Sequence, residues 1–83
     1  MSLMAKKSYT VRATWDDEAS VWVAESEDVP GLATEAETPI LLAEKLIVLI
    51  PELLELNGLR LEGECEAVIR YEREERLSLP VAA

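Results

Sequence analysis

Apolar and polar residues alternate in two segments of the chain, Tyr9 to Trp15 and Glu62 to Glu72. A period of two with aromatic and β-branched residues predicts strands that have one buried face. Between them, Val21 to about Ser26 is apolar on both faces, which indicates a central strand or a partly covered outer face. Leu32 to Glu35 is predicted to be a short third strand. The polar stretch 16–20 predicts a hairpin loop between the first two strands.

A longer apolar run predicts one helix from Pro39 to about Leu56. Thr38 is a suitable N-cap, and proline is favoured at the first helical position, where its missing N–H has no helical acceptor. Residues 57–58, Asn-Gly, are a stop signal. Because Pro51 removes a helical hydrogen bond and crowds the preceding turn, we expect a kink or a break near residues 49–50.

The corner before the helix contains Pro30 and Gly31, which suit the two central positions of a type II turn. The predicted element order is therefore β-β-β-α-β. We expect an α+β fold, a two-layer sandwich in which one helix packs on a mainly antiparallel sheet.

The predicted helix is more apolar than a helix that covers one sheet needs to be, since a stripe about 100° wide would suffice. One line on it, for which we predict contacts in a homo-oligomer, comprises Leu42, Leu46, Leu49, Leu53 and Leu56. An adjacent apolar line comprises Ile40, Ala43, Ile47, Ile50 and Leu54. A chain of 83 residues builds only a small core, and association is a common remedy. The alternative is that the sheet curls and covers both lines.

The composition narrows the classes of partner. There are 17 Asp and Glu against 8 Lys and Arg, a net charge of −9, which disfavours nucleic acid and favours a basic partner. The alternative is that the charge serves solubility alone. With Cys65 as the only cysteine and no histidine, a disulfide within the chain and zinc-type sites are not expected. A cytoplasmic location is predicted, and no apolar run is long enough to span a membrane.

The chain is predicted to hold one domain, residues 4–76, followed by a tail, residues 77–83. Met1 to Leu3 precede a second methionine and are interpreted as an expression scar without a signal peptide.

Candidate catalytic groups are few. Asp16, Asp17 and Glu18 could supply half of a divalent-metal site, but such residues are ordinary turn formers. Cys65 lies on the predicted buried face, where cysteine is usually inert. We therefore expect no enzymatic activity, and no catalytic, cofactor-binding or metal-binding residue is assigned.

Several short motifs together resemble the HicB-like antitoxin superfamily over about residues 8–72. They are a strand that opens Tyr-Thr-Val, a Trp-Val-Ala strand, an Asp-Val-Pro-Gly-Leu corner and a threonine before an apolar helix. The chain departs from the family pattern at Glu27, which replaces a proline, at residues 35–37, which lack Gly-Asp, and at Pro39.

The resemblance implies a partial ribonuclease H-like fold without catalytic carboxylates. Members neutralise HicA, a small basic ribonuclease toxin, and usually carry a DNA-binding domain, for which no room is expected after Glu72. The first hypothesis is thus a homo-oligomeric interaction domain that binds a HicA-like toxin. The alternative is an oligomeric structural module with no toxin partner. A third, least favoured, is a metal-dependent nuclease that uses Asp16, Asp17 and Glu25.

Overall fold

Residues 7–82, which the computed structural model describes, form a four-stranded sheet with one helix on one face. The interpretation of residues 1–3 as an expression scar lies outside this range. The elements are β1 (Lys7–Asp16), β2 (Val21–Glu25), β3 (Ala33–Ala36), α1 (Pro39–Leu56) and β4 (Cys65–Glu72). The predicted β-β-β-α-β order and the α+β class are confirmed.

The strands lie in the order β3-β2-β1-β4, so β3 and β4 form the two edges of the sheet. The β1–β2 and β2–β3 pairs are antiparallel, and β4 lies parallel to β1 after the crossover through α1. Trp15 lies opposite Trp22, and Tyr9 lies opposite Ala67. The odd-numbered residues of β1 and β4 therefore share the face of the sheet that carries the helix.

The core lies between that face and one stripe of α1. Leu42, Leu46, Ile50 and Leu54 are the buried residues of the helix. The sheet and the corner contribute Tyr9, Val11, Ala13, Ala24, Val29, Leu32 and Ala36. Each large aliphatic side chain that is fully buried contributes about 1.5–3 kcal/mol relative to its exposed state.

Both ends of α1 follow the signals in the sequence, since the helix begins at Pro39 after Thr38 and ends at Leu56 before the Asn-Gly pair at residues 57–58. The Oγ1 of Thr38 accepts a hydrogen bond from the N–H of Leu41 at 3.1 Å, which confirms the predicted N-cap. The helix runs without interruption through Pro51, so of the kink or break expected near residues 49–50, the break does not occur. Pro51 leaves the carbonyl of Ile47 without its helical donor. Because Ile47 lies on an exposed flank, water can hydrate that carbonyl.

The corner is the predicted type II turn. The carbonyl of Val29 accepts a hydrogen bond from the N–H of Leu32 at 3.2 Å, and Gly31 has φ of 81°. This conformation is strained for a residue with a side chain. Val29 and Leu32, the first and last residues of the turn, are both buried in the core.

The helix does not cover the sheet evenly. Its backbone lies nearest β2 and β3, while on the same face of β4 Ala67 and Tyr71 are exposed and Cys65 and Ile69 are half-buried. After β4, residues 73–82 have no helix or strand and leave the body. The radius of gyration is 17.0 Å, against about 12 Å for a compact chain of this length.

Candidate interaction surface

The structure divides the helical line that was predicted to make oligomer contacts. Leu42 and Leu46 lie in the core of the same chain, and Leu49 and Leu53 are partly buried against it. Leu56 is 81% exposed. Leu42 and Leu46 therefore pack against the chain's own sheet and Leu49 and Leu53 are partly covered by it, while the contacts of this line in an oligomer stay a prediction. Homo-oligomer formation itself stays a prediction.

The adjacent line is divided as well. Ile50 and Leu54 are buried and Ala43 is half-buried, whereas Ile40 and Ile47 are exposed. The sheet thus takes the centre of the apolar stripe and leaves both of its flanks open. One flank faces solvent and the other faces β4.

The solvent flank carries an acidic and apolar surface. Its residues recur every three or four positions and so project from one side of α1. We name them the acidic helix surface: Leu41, Glu44, Val48, Glu52 and Glu55, all of them exposed. The neighbouring cation, Lys45, instead donates from Nζ to the carbonyl of Glu35 at 2.6 Å. This surface therefore presents carboxylates around two exposed aliphatic side chains.

A shallow depression of about 580 Å³ continues this surface towards β3. Val21, Glu35, Glu37, Leu41 and Glu44 contribute to its lining. Because β3 is an edge strand, the depression lies beside unpaired backbone groups of the sheet.

The other flank of the helix borders an apolar groove of about 380 Å³ above β4. The groove is lined chiefly by Ile47, Pro51, Leu61, Ala67 and Ile69. Cys65 also lies here, half-buried, and its thiol is within 3.4 Å of the carbonyl of Glu62. We refer to this feature as the β4 groove.

Aromatic rings close the far end of the same face. Trp22 makes edge contacts with Trp15, at a centroid distance of 5.3 Å, and with Tyr71, at 5.1 Å. The guanidinium of Arg73 lies 4.8 Å from the Trp15 ring centroid. These contacts join the end of β4 to the hairpin, and Trp22 also packs against the core.

The carboxylates considered for metal-dependent chemistry have structural partners. Asp16 accepts hydrogen bonds from the N–H groups of Glu18 and Ala19 within the hairpin, and Asp17 accepts one from the indole of Trp15. Glu25 pairs with Arg12 at 3.1 Å. Among residues 7–82, no group of three potential ligands is placed to hold a metal ion.

The outer face of the sheet is open and charged. The hydrogen bond and charge of Glu25, with the charge of Glu72 at 4.0 Å, raise the pKa of the Arg12 guanidinium. All three groups are well exposed, so their ion pairs contribute little to stability.

Comparison with protein families gives a match over residues 8–81 to a family described as a domain of unknown function, DUF1902. The chain belongs to the DUF1902 family. Among solved structures it resembles hypothetical protein TTHA1013 from the extremely thermophilic bacterium Thermus thermophilus. The two are 53% identical, the match covers 88% of this chain and 100% of that one, and the TM-score is 0.71. No curated protein matches the chain.

Sequence reasoning overlooked one structural device in this DUF1902 domain. Where the β1–β2 ladder ends, Asp28 accepts a hydrogen bond from the N–H of Thr10 at 2.7 Å, and the hydroxyl of Ser26 donates to the carbonyl of Thr10 at 2.5 Å. The Ser-x-Asp spacing before the corner was the available signal, because such side chains commonly bond backbone groups in turns.

Within the part of this DUF1902 domain that the structure describes, no helix combines the length and the apolar character that crossing a bilayer requires.

Proposed function

We propose that the chain is a non-enzymatic interaction module that binds a small basic protein through the acidic helix surface. The observation that carries this proposal is the composition of that surface, which combines Glu44, Glu52 and Glu55 with exposed Leu41 and Val48. Protein interfaces commonly combine an apolar centre with a polar rim, and this surface has both.

The electrostatics support a basic partner. The net charge of −9 gives the molecule a long-range negative field, and the depression beside β3 adds Glu35 and Glu37 to the same side. Complementary charge accelerates encounter and excludes acidic competitors more than it raises affinity. A partner with a basic face and a few apolar side chains fits these features.

The class of the partner follows from the HicB-like resemblance. The Trp-Val-Ala strand, the Pro-Gly corner and the threonine-capped helix resemble antitoxins that neutralise a small basic ribonuclease. The description of the DUF1902 family assigns no function, so this class is our proposal. A HicA-like toxin would be both basic and small enough to dock on one helix face.

The test uses the product of an adjacent reading frame, if that frame encodes a small basic protein. We expect calorimetry to detect binding to the intact chain, and co-expression to relieve any growth arrest that the basic protein causes. Glu44→Lys with Glu52→Lys should weaken binding by roughly tenfold or more, because like charges then face the partner.

Glu18→Lys with Glu27→Lys is the matched control, because it changes the net charge equally at exposed sites away from the helix. We expect it to weaken binding only slightly, and less as salt is added. Absence of binding would count against the partner class. Equal weakening by both double variants would show that net charge, rather than the acidic helix surface, attracts the partner.

A further inference from the structure

The segment after β4, residues 73–82, exposes a regular apolar pattern that residues 7–72 do not cover. Leu77, Leu79 and Val81 are 74%, 78% and 92% exposed, and Ser78 and Pro80 separate them. We name residues 73–82 the C-terminal arm. Three large apolar residues at a period of two are typical of a strand with one buried face.

The arm continues the alternation of β4. Arg73 lies over Trp15 on the helix-bearing face, which is the face of Tyr71 and Ile69. Arg76 donates to Glu74 at 2.9 Å, as neighbours on one face of an extended chain can. Extended in this way, the arm places its three apolar residues on the same face as the β4 groove.

The outer edge of β4 has free backbone groups for such a strand. The N–H of Lys7 donates to the carbonyl of Glu64 at 3.0 Å, and Lys7 lies opposite Cys65 in the parallel ladder. Even-numbered residues of β4 therefore direct their N–H and C=O groups towards β1, and odd-numbered residues direct theirs outwards. Among residues 7–82, no strand pairs with this edge.

The arm leaves its own body instead of folding back onto this edge. Eight residues of β4 and ten of the arm span about 60 Å when extended. The longest dimension of the molecule is 66 Å, which agrees with a nearly straight continuation. The arm begins at the Glu72 end of β4, whereas the β4 groove lies at the Cys65 end. An extended arm can therefore reach a β4 groove only on another copy.

We propose that two copies of this chain form a dimer by exchanging their C-terminal arms. Each arm adds antiparallel to the open edge of β4 in the other copy and covers that copy's groove. Exposed strand edges commonly recruit a strand in this manner, and reciprocal exchange closes the assembly with two-fold symmetry.

Charge and hydrophobicity select one register, with Glu74 at the two-fold axis. In it, apolar residues face apolar residues and the charged pairs that flank the axis have opposite signs, while Glu74 at the axis faces Glu74 of the second copy. The facing pairs between copies are Arg73 with Glu75, Glu72 with Arg76, Tyr71 with Leu77, Ile69 with Leu79, and Ala67 with Val81. A shift by two residues in one direction would pair Arg73 with Arg73 and Arg70 with Arg76 of the second copy, which adds like-charged pairs. A shift by two residues in the other direction would place Arg73 against the apolar Leu77.

Pro80 fits this register. It lies opposite Val68, an even-numbered residue whose backbone groups already face β1, so the pair is not hydrogen-bonded across the new edge. The missing N–H of Pro80 therefore points away from β4, where proline is tolerated on an edge strand.

The exchanged arm also fills the groove. Leu79 and Val81 of the second copy come to lie beside Ile69 and Ala67 on the helix-bearing face, towards Ile47 and Leu61 on the walls of the groove. The acidic helix surface remains open in this dimer, since it lies on the other flank of α1. The dimer is therefore independent of the proposed function and can be tested without any basic partner.

The first experiment compares Leu79→Asp with Leu56→Asp in the intact chain by sedimentation equilibrium. The two leucines are 78% and 81% exposed, so neither change disturbs the core. We expect Leu79→Asp to raise the dimer dissociation constant about 30- to 100-fold, because a carboxylate then faces Ile69. Leu56→Asp should leave it unchanged. A specific dimer of modest affinity is populated at about 100 µM. The proposal would be overturned if the parent chain stayed monomeric at that concentration, or if the two variants had equal effects.

A second experiment tests the register by disulfide trapping. Arg70 and Ser78 of the two copies form a pair without hydrogen bonds, whose Cα atoms approach to about 4.5 Å, within the range that a disulfide requires. In a Cys65→Ser background, Arg70→Cys with Ser78→Cys should give a covalent dimer under mild oxidation. Arg70→Cys with Pro80→Cys, two residues out of register, should cross-link far more slowly. The reverse order of cross-linking would refute the arm arrangement.

Discussion

The two sides of the sheet make different use of the same sequence pattern. Ala24 in β2 and Ala67 in β4 are both alanines on the helix-bearing face, yet Ala24 is fully buried and Ala67 is exposed. The difference is the position of α1, whose backbone lies nearest β2 and β3. We call the helix with β2 and β3 the covered half, and β4 with the C-terminal arm the open half.

This contrast separates two kinds of information in an alternating segment. The period of two in β4 specifies which face is apolar, and the structure agrees with it. It does not specify what covers that face, because coverage depends on where a distant helix lies. In the covered half the chain itself supplies the cover, and in the open half we propose that a second copy does.

The largest expected effect is in the covered half. Leu42→Ala should lower the free energy of unfolding by about 3 kcal/mol, since it leaves a cavity in a core with few large residues. Chemical denaturation followed by tryptophan fluorescence would measure it. Such a loss is a large share of the stability of a typical small domain.

Leu56→Ala is the matched control in the same helix, because Leu56 is exposed. We expect a change within about 0.5 kcal/mol. If both variants were equally destabilised, the division of the helical leucines into core and surface would be wrong.

A smaller effect on stability is expected at the hydrogen bond that joins Asp28, before the corner, to Thr10 in β1. Asp28→Ala removes the acceptor for the N–H of Thr10 and should cost about 1–2 kcal/mol, because this hydrogen bond has a charged partner but is exposed. Amide hydrogen exchange should accelerate at Thr10 in particular. Glu27→Ala, a change at the exposed neighbouring residue, is the control and should alter neither the stability nor the exchange rate at Thr10. If Asp28→Ala left the exchange rate at Thr10 unchanged, the role assigned to the Asp28 carboxylate would be contradicted.

Local signals in the sequence were sufficient for the element order, the cap at Thr38 and the turn at Pro30 and Gly31, because each depends on neighbouring residues. The sequence did not predict the interactions between segments that are distant along the chain. The line that begins at Leu42 was predicted to contact a partner because the sequence shows how wide the apolar stripe of the helix is. The sequence does not show which part of that stripe the chain's own sheet covers. Of the kink or break expected at Pro51, the break does not occur, because the effect of the lost hydrogen bond depends on whether water reaches the carbonyl of Ile47.

The smallest expected effect tests whether the open half has an anchor of its own. Tyr71 contacts Trp22 edge-on and lies in β4, which the backbone of α1 does not approach. Tyr71→Ala should cost about 1 kcal/mol, as aromatic pairs contribute beyond their buried area, while Tyr71→Phe should retain nearly all of the stability. Near-ultraviolet circular dichroism at a concentration where light scattering shows monomers would report the loss of the ring contact. A cost as large as that of Leu42→Ala would mean that the aromatic end belongs to the main core, and the boundary between the halves would then lie beyond Tyr71, in the arm itself.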